Sequence, residues 1–138
     1  MEHFDIANSK LASIGKRLSK VNSILKKIES PPQNSSFIVQ IEDNEPKSCM
    51  PLDKDECTIG RTYECDFVIS CKKASRIHCK LSKSNENWTI FDSDSRNGIF
   101  VNGERITKKT LCDGDIIRIG NVELIFVKKP DIAPFENF

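Results

Sequence analysis

Hydrophobic positions along the chain follow two periods, and the change between them falls near residue 36. Before it, Phe4, Ala7, Leu11, Ile14, Leu18, Val21, Leu25 and Ile28 follow one another at alternating steps of three and four. That spacing predicts an amphipathic helix with the seven-residue repeat of a coiled coil, held for three and a half heptads. Leu11, Leu18 and Leu25 fall at a, with Ile14, Val21 and Ile28 at d, an arrangement that in parallel coiled coils leans away from dimers toward higher states. The seam is narrow and the other faces carry Lys, Arg, Ser and Asn, which favours self-association or a partner helix. Packing on the neighbouring domain as an ordinary amphipathic helix is the alternative. Gly15 is the one poor helix former inside the pattern, costing about 1 kcal/mol relative to Ala. Ser30-Pro31-Pro32 stops the helix, because proline excludes helical geometry for the residue before it and donates no amide hydrogen bond. Residues 1–30 therefore read as an oligomerisation helix, and 31–36 as a short flexible linker.

From Phe37 the period is two. Strands are expected at 37–41, 57–59, 66–70, 77–81, 88–91, 99–101, 116–119 and 122–127. Asn97-Gly98, Asn102-Gly103, Asp113-Gly114 and Gly120-Asn121 mark turns between them. Many short strands with regular turns and no helical stretch imply an all-β sandwich over 37–128, followed by a tail at 129–138 that carries Phe135 and Phe138.

Charge adds an asymmetry. The chain has 138 residues with net charge +1, so general coating of nucleic acid is not expected. Yet residues 6–28 hold six basic side chains and no acidic one, whereas six acidic residues fall between Glu42 and Glu56. The start lacks the basic head and apolar run of a secretory signal, and no stretch approaches the roughly 18–20 apolar residues of a membrane span. An intracellular protein is expected, which leaves the tripeptides at Asn34 and Asn87 unglycosylated. Of six cysteines, Cys57 and Cys79 sit where small apolar side chains suit the alternation, so reduced core thiols are expected rather than three disulfides. With no Cys-x-x-Cys pair and only His3 and His78, no metal or other cofactor is implied.

No catalytic constellation is present: there is no nucleophile elbow and no Gly-rich phosphate cradle before a helix. The notable residues are basic and polar ones on loops, namely Arg61, Lys72, Lys73, Ser75, Arg76, Arg96 and Asn97. A guanidinium fork suits phosphate oxygens, and a serine hydroxyl adds another donor.

Ile59-Gly60-Arg61, then Ser75-Arg76-Ile77-His78, then the run from Asp92 to Gly103 containing Arg96-Asn97-Gly98 and Asn102-Gly103, resembles the forkhead-associated (FHA) domain. Leu111-Cys112-Asp113-Gly114-Asp115 through Gly120 is similar to that family's ending. The resemblance covers about two-thirds of the chain. It implies a sandwich of about eleven strands that binds a phosphothreonine peptide in extended form, without catalysis. By the same resemblance Arg61 and Ser75 grip the phosphate, Asn97 holds the peptide backbone beyond it, and His78 braces the Ser75 loop. Gly60, Gly98, Asn102 and Gly103 shape loops without touching ligand. Arg96 stands where a small polar residue is common, and with Arg76 and Lys73 it makes this version more basic. Arg76 is expected on the phosphate, with Arg96 and Lys73 on the peptide. All five threonines fall inside the sandwich, at 58, 62, 89, 107 and 110, so the threonine ligand is expected on another protein. The resemblance further implies an adaptor in kinase signalling, nuclear more than cytoplasmic. A structural assembly protein whose sandwich binds partners without phosphate is the alternative.

Overall fold

The computed structural model describes residues 2–129, with side chains from residue 12 onward. Helix α1 (Glu2–Leu25) precedes eleven strands. They are β1 (Phe37–Glu42), β2 (Glu45–Pro51), β3 (Glu56–Gly60), β4 (Phe67–Val68), β5 (Cys79–Ser84) and β6 (Asn87–Asp92), followed by β7 (Ile99–Val101), β8 (Glu104–Ile106), β9 (Lys108–Thr110), β10 (Ile116–Ile119) and β11 (Val122–Val127). A six-stranded sheet in the order β2-β1-β11-β10-β7-β8 faces a five-stranded sheet in the order β4-β3-β5-β6-β9. Inward side chains such as Ile38, Ile59, Leu81, Ile90, Ile117, Leu124 and Phe126 are wholly buried between them. The all-β sandwich and its strand number agree with the expectation from sequence.

Three strands were not legible from periodicity. β2 contains Pro46 and Pro51 and survives because it is an edge strand, bonded on one side only. β8 and β9 have three residues each, too short to display a period. Conversely, the strand expected at 66–70 contracts to Phe67–Val68, and Ile77 lies outside β5. Two-residue hairpins join β1 to β2, β5 to β6 and β7 to β8. Their central residues Asp43-Asn44, Asn85-Glu86 and Asn102-Gly103 all have φ between 50° and 87°. Paired positive φ values match the right-handed twist of the flanking strands, and only the third pair has the Asn-Gly signature.

The helix corrects one expectation. Val21 and Ile24, 2% and 1% exposed, pack on Phe37, Val39, Ile41, Ile125 and Val127, with Leu25 and Ile28 alongside. The C-terminal half of the apolar seam is thus covered by the chain's own six-stranded sheet, and Ile24, outside the expected seam, is its most buried residue. A sheet face this apolar has to be sheltered, and the adjoining helix is the nearest cover. Ion pairs from Lys20 to Glu123 (3.6 Å) and Lys27 to Glu45 (2.8 Å) flank the seam. Ile14 and Leu18 stay 42% and 40% exposed. The stretch read as a flexible linker is tied at its end: the buried Ser36 accepts from Leu52 N–H through its carbonyl (2.8 Å) and from Lys129 N–H through its hydroxyl (3.0 Å). The seam positions Phe4, Ala7 and Leu11, like the tail beyond Lys129, lie outside the described side chains.

Cys57, Cys65, Cys71 and Cys79 are buried free thiols, Cys49 is half-buried and Cys112 is exposed. Complete burial, with Asp92 nearby, pushes the Cys79 thiol far above its ordinary range. Among the described residues, no helix is long and apolar enough to cross a membrane, and no group of His, Cys, Asp and Glu is placed to hold a metal ion.

Candidate binding groove

The C-terminal ends of β3, β4 and β6 and the start of β5 lie at one end of the five-stranded sheet, since β3 runs parallel to β4 and antiparallel to β5, which is antiparallel to β6. Three loops meet there. Arg61, immediately after β3, is fixed by its backbone: its N–H is shared between the carbonyls of Ser75 and Arg76, each at 3.1 Å. The Arg76 carbonyl also accepts from Thr62 N–H (3.3 Å), Thr62 Oγ1 (3.2 Å) and Cys65 Sγ (3.3 Å). This convergence leaves no room at Gly60, where a Cβ would lie 2.3 Å from the Arg76 carbonyl oxygen and 2.8 Å from Cys65 Sγ. The far end of the Arg61 loop is closed by Asp66, whose carboxylate accepts from Thr58 N–H (2.9 Å) and pairs with Lys54 Nζ. The Lys54 contact, followed by the Thr58 N–H bond, holds the Asp66 carboxyl below the usual carboxylate range.

His78 joins the other two loops from beneath. It is wholly buried; its Nδ1 accepts from Ser75 N–H at 3.0 Å and its Nε2 faces the Gly98 carbonyl at 2.7 Å. Because Nδ1 accepts, the proton sits on Nε2, which donates to Gly98. Gly98 itself has φ +80° with the Arg105 guanidinium against it, a conformation that favours glycine. The Ser75 hydroxyl oxygen accepts from Arg96 N–H at 3.1 Å, which leaves its own proton free to donate outward. Asn97 Nδ2 donates to the Lys73 carbonyl at 2.8 Å, leaving the amide oxygen and a second N–H for a ligand. Ser95 ties the β6–β7 loop by bonding to Asp92 and accepting from Gly98 N–H.

The result is an open groove of about 500 Å³ lined by Arg61, Lys72, Lys73, Ser75, Arg76, Arg96 and Asn97, with Ile77 and Asp94 at its rim. All the candidate phosphate and peptide residues named from sequence are brought together. Arg76 Nη2 leans to Glu64 Oε1 at 3.9 Å on the exposed side of the groove. Asn102 and Gly103 lie elsewhere, in the β7–β8 hairpin. Asn102 accepts from Ile116 N–H and donates to the buried Asp115, each at 2.9 Å, and so staples that hairpin to β10. Sequence reasoning did not single out Thr62, Cys65 or Ser95; their work is done through backbone partners 3 to 14 residues away. Short hydroxyl side chains beside Gly60-Arg61 and Asn97-Gly98 were the available signal.

A family model for the FHA domain matches residues 57–120, which contain every one of these loops. The chain carries an FHA domain. An ABC transporter ATP-binding/permease protein of Mycobacterium tuberculosis is 44% identical over 68 residues, which is 49% of this chain and 8% of that protein. An oxoglutarate dehydrogenase inhibitor of Corynebacterium diphtheriae is 28% identical over 101 residues, 73% of this chain and 71% of the inhibitor. Among solved structures, an FHA domain studied for its phosphothreonine-dependent interactions superposes with a TM-score of 0.65 at 26% identity, over 70% of this chain and 98% of that one. The chain thus spans a small fraction of the transporter and most of the inhibitor. Both these relatives are bacterial, and they lend no support to the nuclear placement expected from the family.

Proposed function

We propose that this FHA domain binds phosphothreonine peptides and serves, inside the cell, as an adaptor downstream of a protein kinase. The observation that carries this reading is the convergence of Arg61 and Ser75 in one open groove, on loops locked to each other by the Arg61 N–H. A phosphate carries close to two negative charges at pH 7 and organises several charge-assisted hydrogen bonds at once. The Arg61 guanidinium supplies charge and a donor fork. The Ser75 hydroxyl, already accepting from Arg96 N–H, is oriented to donate. Asn97, anchored on Lys73, presents an acceptor and a donor to an extended peptide backbone. Arg76, Arg96 and Lys73 add positive charge around that centre. Every one of these groups binds, and the domain needs no cofactor for it. Titration of the protein with one peptide in Thr, phosphothreonine and phosphoserine forms tests the reading. The phosphothreonine form is expected to bind best, and equal affinity for the unmodified form would overturn it.

A second part of the reading concerns α1. Ile14 and Leu18 stay exposed beyond the docked half of the seam, and this favours contact with a second copy or a partner helix. Linking weak domains in this way raises avidity without new contacts, provided the geometry allows simultaneous engagement. Light scattering of the intact chain beside an Ile14→Ser, Leu18→Ser variant measures it. A larger mass for the unaltered chain is expected, and a monomer in both would remove the self-association.

A further inference from the structure

Outside the groove Lys20, Lys27, Lys47, Lys54 and Lys80 each sit 2.5–3.6 Å from a carboxylate oxygen. Other surface cations, Arg105 and Arg118 among them, have no such partner among the described residues, so what marks the groove is that its cations line one cavity. In the groove Arg76 has Glu64 at 3.9 Å, yet among the described residues Arg61, Lys72, Lys73 and Arg96 have no carboxylate within 4.0 Å. One phosphate on Arg61 and Ser75 leaves three cations facing a single acidic residue of the lining, Asp94.

These three cations line one groove, and two of them have anchored backbones. Asn97 Nδ2 bonds the Lys73 carbonyl, and Arg96 N–H bonds the Ser75 hydroxyl, which ties the backbones of Lys73 and Arg96 to Asn97 and Ser75. The Arg76 guanidinium leans instead to Glu64, 3.9 Å away. The stem of Lys73 is packed against the β10–β11 turn so closely that a Cβ on Gly120 would lie 2.9 Å from Lys73 Cβ. Like charges gathered on a fixed backbone repel one another in the free protein, and that repulsion is relieved only by an anion.

We propose that Lys72, Lys73 and Arg96 form a second anion subsite beside the one built on Arg61 and Ser75, selecting phosphothreonine segments that carry a further phosphate or a run of carboxylates. The inference rests on the phosphothreonine reading and specifies its ligand class.

Fluorescence anisotropy with four labelled peptides of one length tests it on the full chain. One has phosphothreonine with neutral flanks, one phosphothreonine with acidic flanks, one two phosphorylated residues, and one acidic flanks with unmodified threonine. Charged flanks are expected to improve affinity about tenfold over neutral ones at low salt, and less as the ionic strength rises past about 0.15 M. Replacing all three cations (Lys72→Ala, Lys73→Ala, Arg96→Ala) is expected to abolish that gain, so that the variant binds charged and neutral phosphothreonine peptides with the same affinity. The stronger of the two charged phosphothreonine peptides identifies the source of the second anion. Equal affinity for neutral and charged phosphothreonine peptides, or a gain retained by the triple variant, overturns the subsite. Equal affinity for the acidic peptide without phosphate overturns the phosphothreonine reading instead.

Discussion

At the groove end, loops are held by directional bonds between polar groups, whereas on the outer face of the six-stranded sheet α1 is held by apolar area. His78, the Arg76 carbonyl and Asn97 each fix atoms at hydrogen-bond distance, so the cations around them keep a defined arrangement. Val21 and Ile24 fix only proximity, because burial has no preferred direction. The difference suits the two surfaces to different work. Directional bonds suit side chains to recognition of a compact charged group, while an apolar seam offers stability and, where it runs past its cover, leaves Ile14 and Leu18 exposed.

That contrast predicts effects that separate stability from binding. The largest is expected for His78→Phe, which leaves the Ser75 N–H and Gly98 carbonyl without partners. Two stranded buried groups cost about 2–6 kcal/mol together, read as a lower denaturation midpoint, and phosphopeptide affinity falls with it. A variant as stable as the parent would mean that the histidine is no brace. Next, Ile24→Ala removes packing under α1 and is expected to cost about 2–4 kcal/mol while leaving phosphopeptide affinity unchanged. Parallel loss of affinity would show that the seam and the groove are one cooperative unit. Arg61→Ala reverses the pattern: affinity drops about 30-fold, roughly 2 kcal/mol, with the unfolding midpoint unmoved. The smallest effect concerns the Lys54–Asp66 pair that closes the Arg61 loop. Because the folded-state carboxyl is held below its unfolded value of about 3.9, its stabilisation is present above that pH and disappears as the pH falls through the depressed value. Unfolding curves for the parent and Asp66→Asn are therefore expected to differ slightly at pH 7 and to converge in acid. A constant difference would place the effect in packing instead of charge.

Much of the groove was legible because its residues are tied to short motifs at strand ends. Gly60-Arg61, Ser75 to His78 and Asn97-Gly98 each sit where a strand meets a loop, and such boundaries follow from a period of two interrupted by glycine. The Asn102-Gly103 hairpin was readable for the same reason. Its equivalents at Asp43-Asn44 and Asn85-Glu86 were not, since those residues adopt positive φ under the demand of the paired strands that flank them. The pairing of Arg76 with Glu64, like the lack of a carboxylate partner for Lys73 and Arg96 among the described residues, depends on where side chains end in space, and residue type does not encode that.

The amino-acid order alone determined the sandwich, the helix before it and which loop residues line the groove, because alternation and turn chemistry act over a few neighbouring positions. Only the tertiary structure decided that α1 covers its own sheet through Ile24 and that four groove cations have no carboxylate partner among the described residues. Both outcomes are competitions among distant surfaces for apolar cover or countercharge, and such competitions are settled only when the whole chain has closed.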